Sequence, residues 1–135
     1  MPTGDLEVKC LGENHINELN ALYKMAYPQN WFDQRMIQTG QYYGIFKDNM
    51  VISVAGIHVY SQKYKVAALG NITTHPEHRG KGYATLATQF LCKSLLDDIE
   101  HIGLNVKADN ETAIAMYQKL GFTAIANFEE CEFTL

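Results

Sequence analysis

Thr73-Thr74-His75-Pro76-Glu77-His78-Arg79-Gly80-Lys81-Gly82-Tyr83-Ala84 is the run from which the rest of the chain can be read. A β-branched segment leads into a basic turn with two glycines, and an amphipathic helix begins near residue 82. The first amides of a helix have no intrahelical acceptor and carry the positive end of its dipole. Glycines that remove Cβ atoms let such amides wrap around phosphate oxygens, and Arg79 and Lys81 add charge. A bare Gly-x-Gly is more often a plain strand-to-helix turn, so the flanking elements must carry the argument.

Downstream, Tyr83, Leu86, Ala87, Phe90, Leu91, Leu95 and Ile99 set an apolar stripe on a helix over 82–98. Ile102, Leu104 and Val106 predict a strand. A helix follows from about Glu111, with Ala113, Ile114, Tyr117 and Leu120 inward and Gly121 as its stop. Short strands over 122–126 and 131–134 close the chain.

Upstream, 66–74 predicts a strand in which Gly70 marks a bulge or the close approach of another group. Segments 42–47 and 50–60 flank Asp48-Asn49, two residues that tolerate the positive φ of a tight hairpin turn. Val51, Ile52, Val54, Ile57 and Val59 occupy both faces of the second strand, so helices must cover both sides of the sheet. Leu6, Val8 and Cys10 alternate with Glu7 and Lys9 as a first strand. Ile16, Leu19, Leu22, Tyr23 and Ala26 have helical spacing, with Asn14 as the expected N-cap and Pro28 as the stop. A short second helix is expected over 32–38, ended by Gly40. The order is strand, two helices, three strands, helix, strand, helix, two strands, which is an α+β or mixed α/β fold around one sheet.

At 135 residues the chain suits one domain, and 47% hydrophobic against 19% charged residues gives it an ordinary core. Its apolar runs fall well short of the roughly 20 residues a spanning helix needs, so no membrane association is expected. The N-terminus has no basic start followed by an apolar core, which predicts a cytoplasmic protein. Cys10, Cys92 and Cys131 are odd in number and widely spaced, without a Cys-x-x-Cys pair, and no metal is expected. A net charge of −4 opposes nucleic-acid binding.

Two nucleotide-binding readings fail on the letters. No Gly-x-x-x-x-Gly-Lys-Ser/Thr string occurs. A dinucleotide fingerprint needs Gly or Ala where Thr85 stands, and a leading βαβ unit in place of a helical start and antiparallel strands.

The run Arg79-Gly80-Lys81-Gly82-Tyr83-Ala84 resembles the Arg/Gln-x-x-Gly-x-Gly/Ala signature of the GNAT family of acyl-CoA-dependent N-acyltransferases. Leu104-Asn105-Val106 followed by Asn110, Ala113, Tyr117 and Lys119-Leu120-Gly121-Phe122 resembles the second half of the same pattern, at the expected distance. The resemblance extends over 66–128, and the element order agrees before that.

It implies a single N-acetyltransferase domain over 1–135, with a mostly antiparallel sheet of about seven strands and four helices on both faces. Strands 66–74 and 102–106 would splay, and the pantetheine arm of acetyl-CoA would insert between them. Amides of Arg79, Gly80, Lys81, Gly82, Tyr83 and Ala84, with Thr85 in the same turn, would hold the pyrophosphate. Backbone groups around Ile72, Thr73 and Thr74 would bind the pantetheine amides and meet the thioester oxygen. Asn110 would contact the cofactor, a role compatible with helix N-capping. Tyr117 would be the general acid to the leaving thiolate, a phenol near pKa 10 serving a thiol near 8.5. Without the neighbouring motif, Tyr117 reads as a core aromatic. Asn105 faces away from Leu104 and Val106 toward the acyl group, or is an asparagine satisfied by backbone.

The acceptor amine must be neutral to attack, which costs about 4.6 kcal/mol at pH 7 for a lysine-like amine and about 1.4 for an α-amine. His58, His75, Glu77, His78 and Asp33 are the available bases, none singled out by the sequence. Tyr27, Trp31, Phe32, Tyr42 and Tyr43 would furnish the acceptor pocket. The expected activity is direct acetyl transfer from acetyl-CoA to a primary amine of a small molecule or peptide. The alternative is a non-catalytic acyl-CoA-binding and sensing module. An exposed edge strand near the C-terminus offers a surface for a homodimer.

Overall fold

The computed structural model describes residues 6–30, 32–127 and 130–135. Its strands are β1 Leu6–Cys10, β2 Tyr43–Lys47, β3 Met50–Ser61, β4 Val66–Thr74, β5 His101–Lys107, β6 Thr123–Asn127 and β7 Glu130–Thr134. Its α-helices are α1 Ile16–Ala26, α2 Tyr83–Leu95 and α3 Glu111–Lys119, and the expected short helix over 32–38 is a 3-10 helix, Gln34–Thr39. The strands form one seven-stranded sheet in the order β1-β2-β3-β4-β5-β7-β6. Every pairing is antiparallel except β4 with β5, whose parallel run requires the crossover that α2 supplies.

The hairpin between β2 and β3 turns at Asp48 and Asn49, with φ of 52° and 67°, the twist-compatible geometry these residues tolerate. Val51 through Ile57 are buried without interruption, so β3 is covered on both faces, and α1 and α2 both pack against β3 and β4. Leu19, Leu22 and Tyr23 from α1 and Ala87, Leu91 and Leu95 from α2 are the buried helical faces.

Two local expectations are corrected. Asn14 does not cap α1: it lies inside a 3-10 turn, Glu13–His15, that leads directly into the helix, and the Gly12 amide donates to His15 Nδ1 at 3.0 Å. Phe90 is not part of the buried stripe but 43% exposed, because α2 shows the sheet a narrower face than seven apolar residues suggest. At the C-terminal end of the sheet β7 lies between β5 and β6, leaving β6 as the edge. Trp31 and the side chain of Cys131, both named in the sequence reading, lie outside the described residues.

Candidate active site

The β4–β5 pairing runs only through Val66–His101, Ala67–Ile102 and Ala68–Gly103. Beyond these pairs β4 continues to Thr74 against β3, and β5 continues to Lys107 against β7. The strands therefore part, and a cavity of about 920 Å³ opens between Leu69–Thr73 and Leu104–Lys107, closed on one side by α3. The expected splay is present.

Beyond the parting, β4 carries a bulge against β3. Val54 pairs with Thr73 and Gly56 with Gly70, so Asn71 and Ile72 together stand opposite Ala55. This bulge places Asn71 at φ 55°, a left-handed conformation that asparagine tolerates better than most residues. Tyr23 of α1 pins the bulge by donating its buried hydroxyl to the Asn71 carbonyl at 2.6 Å.

Ile72, Thr73, Gly82, Ala84, Thr85, Asn105, Asn110 and Tyr117 all line this cavity. Asn110 caps α3, its Oδ1 accepting from the Ala113 amide at 3.2 Å. Asn105 is exposed, facing away from buried Leu104 and Val106 as the alternation required. Tyr117 is buried, with Phe122 edge-on at 5.8 Å between ring centroids, and burial pushes its phenol well above the usual tyrosine range.

Thr74, Arg79, Gly80, Lys81 and Tyr83 do not line it. The Thr74 hydroxyl is buried against Ser53 Oγ at 2.8 Å. Arg79, though exposed, lays its guanidinium against two backbone carbonyls: Nε donates to that of Thr74 and a terminal nitrogen to that of Ala26, each at 3.1 Å. That side chain ties the end of β4 to the end of α1. Gly80 and Gly82 hold φ of 79° and 82°, and a Cβ on either would meet nothing within 4 Å. The turn thus leaves open space beside the first amides of α2, which fits an anion, while the unpaired edges of β4 and β5 fit an extended, amide-bearing arm. Both features suit coenzyme A. Among the described residues no cluster of three His, Cys, Asp or Glu could hold a metal ion.

A second cavity, of about 780 Å³, meets the first where Tyr27, His58, Leu69, Leu104 and Asn105 line both. Here the structure brings together residues that the sequence left scattered. Tyr42 donates its hydroxyl to the Ile57 carbonyl at 2.7 Å and accepts from Asn71 Nδ2 at 3.0 Å. Asn71 Oδ1 lies 3.3 Å from His58 Nε2. Asn71 was missed by the sequence reading, although Gly-Asn inside a strand is a bulge signal.

Glycines make room for both rings. Gly56 and Gly70 are register partners on β3 and β4; a Cβ on Gly56 would drive into the Tyr42 ring and one on Gly70 into the His58 ring. The close approach expected at Gly70 is that of an imidazole. Of the other expected bases, Asp33 caps the 3-10 helix and pairs with Arg35 at 3.0 Å. His75, Glu77 and His78 form a turn at the end of β4, outside both cavities. His78 Nδ1 is buried with no hydrogen-bond partner among the described residues, and burial, then Lys81, lowers its pKa. Of the aromatics, Tyr27 lines both cavities, while Phe32 packs between Tyr23 and Tyr42 as core.

Residues 11–122 match the sequence profile of the Acetyltransferase (GNAT) family, and the chain belongs to it. Solved structures agree in fold. The PaiA N-acetyltransferase of Thermoplasma acidophilum, in complex with coenzyme A, has a TM-score of 0.74 at 14% identity, over 96% of this chain and 97% of that one. Naa50 of Arabidopsis thaliana, in complex with the bisubstrate analogue CoA-Ac-MVNAL, has a TM-score of 0.79 at 14% identity, over 96% and 97%. The ribosomal-protein-S18-alanine N-acetyltransferase of Escherichia coli has a TM-score of 0.75 at 19% identity, over 96% and 90%. No curated protein matches the chain. As a GNAT acyltransferase, it takes acetyl-CoA as its co-substrate.

Proposed function

We propose that the chain, acting as one domain over 1–135, transfers an acetyl group from acetyl-CoA directly to a primary amine. The observation that carries this reading is the opening between β4 and β5, walled by a buried phenol and continuous with a second cavity. The co-substrate supplies an activated acyl thioester. The main-chain amides from Arg79 to Ala84, with Thr85, hold its diphosphate, and the backbone around Ile72, Thr73 and Thr74 takes its amides. Asn110 and Asn105 add polar contacts along the arm.

Tyr117 protonates the departing sulfur. Burial raises the phenol, but a sulfur held in the same cavity is desolvated too, so the match between donor and leaving group survives. Direct transfer is favoured over an acyl-cysteine at either of the two cysteines whose side chains the structure describes. Burial pushes the Cys92 thiol up to about 11, so little thiolate exists at neutral pH. Cys10 lines neither cavity.

The acceptor lies in the second cavity. Two of the similar folds act on or hold peptide amines by name, so peptides belong in the acceptor panel. The test is incubation with acetyl-CoA and a panel of peptides, polyamines, amino acids and aminoglycosides, read by mass spectrometry as a gain of one acetyl group. Tyr117→Phe is expected to lower kcat by about 100-fold with CoA affinity retained. An unchanged kcat removes Tyr117 from the mechanism.

A further inference from the structure

Resting on that transferase reading, we propose that His58 is the general base that takes the proton of the acceptor amine, oriented for it by Asn71 and Tyr42. Of the five candidate bases in the sequence, His58 alone lines either cavity, and it lines both where they meet. The residue is exposed, yet its ring is held through Nε2 against Asn71, a state that needs an explanation. A bulge accounts for it: Ile57 pairs with Leu69 and Val59 with Ala68, so His58 is an extra residue in β3. Gly70 then leaves the space its ring fills.

The hydrogen bonds fix which ring nitrogen is free. The Tyr42 proton goes to the Ile57 carbonyl at 2.7 Å, so the Tyr42 oxygen must accept, and the group facing it is the Asn71 amide nitrogen at 3.0 Å. That sets the Asn71 carbonyl oxygen toward His58 Nε2, at 3.3 Å. A carbonyl oxygen can only accept, so Nε2 carries the proton and Nδ1 keeps its lone pair. A neutral imidazole in this tautomer is a base with one assigned nitrogen.

The need is quantitative. At pH 7 about one in 2,500 lysine-like amines, and about one in ten α-amines, is neutral. In the transfer step His58 Nδ1 first takes one proton from the bound ammonium and releases it to solvent, and the neutral nitrogen then bonds to the thioester carbon as the C–S bond breaks and the electron pair leaves with sulfur. Sulfur takes the Tyr117 proton, and the nitrogen passes its own to His58 Nδ1. Solvent then returns one proton from His58 to the Tyr117 oxygen, so the sum is amine plus thioester giving amide plus thiol. Among the described residues, the other titratable groups facing these cavities are Tyr27 after α1, Lys107 and His101 on β5, Glu132 on β7 and Tyr117 on α3.

The test is kcat/KM against pH, from about 6 to 9, for wild type, His58→Gln and Glu132→Gln with an acceptor from the panel. His58→Gln is expected to lose about 100-fold at neutral pH, with the deficit narrowing as pH rises and the amine deprotonates in solution. CoA affinity stays within twofold. Imidazole added to His58→Ala restores part of the rate. Gly70→Ala, which displaces the ring without removing it, reproduces the loss. Tyr42→Phe, a positioning change, lowers kcat about tenfold and blunts the same pH limb while leaving CoA affinity unaltered. An active wild type with a His58→Gln profile superimposable on it overturns this assignment and leaves the transferase reading standing, as does a profile lost in Glu132→Gln alone. A wild type that acetylates nothing in the panel overturns both.

Discussion

Gly56 and Gly70 face each other across β3 and β4, each with an aromatic ring where its side chain would be, yet the two sites should answer differently to one methyl group. Tyr42 above Gly56 is fully buried and tied to Ile57 and Asn71, so it has nowhere to go. Gly56→Ala is expected to cost about 2–3 kcal/mol, the price of overpacking a core, measured by urea denaturation. His58 above Gly70 is exposed and can swing out, so Gly70→Ala should cost under about 1 kcal/mol while abolishing the ring's placement. Burial also sets an alkaline limit. The Tyr42 phenol is pushed up from 10.0 to about 12 and the Cys92 thiol from 9.0 to about 11, each chiefly by desolvation. The folded state therefore holds protons that the unfolded chain releases. This stabilisation is complete below about pH 9 and is lost as pH rises through 11 to 12. Urea midpoints should be flat to about pH 9 and fall above it, less steeply in Cys92→Ala. The sequence named His58, Tyr42 and Gly70 separately. It did not show that they meet, because the two bulges that align them obey no period of two.

The helices were legible where apolar spacing and a cap coincide. Asn110 before α3 and Gly121 after it are such signals, and both hold. Because Asn110 both caps α3 and lines the cavity, substitution separates its roles. Asn110→Ala is expected to cost about 1 kcal/mol of stability, while Asn110→Asp keeps the cap. If the side chain also contacts the co-substrate, Asn110→Asp binds CoA more weakly than wild type at an unchanged Tm, as isothermal titration and thermal melts would report. The α1 entry was misread because a 3-10 turn, lacking a side-chain cap, extends the helix by one turn upstream of where periodicity begins. Arg79 carried a second meaning that spacing could not disclose. Its donations to the Thr74 and Ala26 carbonyls join β4 to the negative end of α1. Arg79→Ala should lower stability by about 1–2 kcal/mol, and Arg79→Lys should recover only part, since an ammonium cannot span both acceptors as a planar fork does.

Strand order was only partly readable from the chain. Hairpins announce themselves through turn residues such as Asp48-Asn49, whereas the insertion of β7 between β5 and β6 depends on pairings that no local pattern records. The parting of β4 from β5 was expected through family likeness rather than from residue periodicity. It has a thermodynamic signature. A ligand that fills the gap binds only the folded chain, so CoA at about 100 times its Kd should stabilise by about 2.7 kcal/mol and raise Tm by roughly 10 °C. NAD or ATP, which lack the pantetheine arm, should do much less in the same thermal-shift assay.

Three residue pairs, Val66 with His101, Ala67 with Ile102 and Ala68 with Gly103, are the whole seam between the two halves of the sheet. They act like the binding of a book fastened at one corner, with the facing pages free over the rest of their length. A guest threaded between the pages completes the spine, so the supply of acyl donor governs how firmly the volume stays shut as well as what it can make.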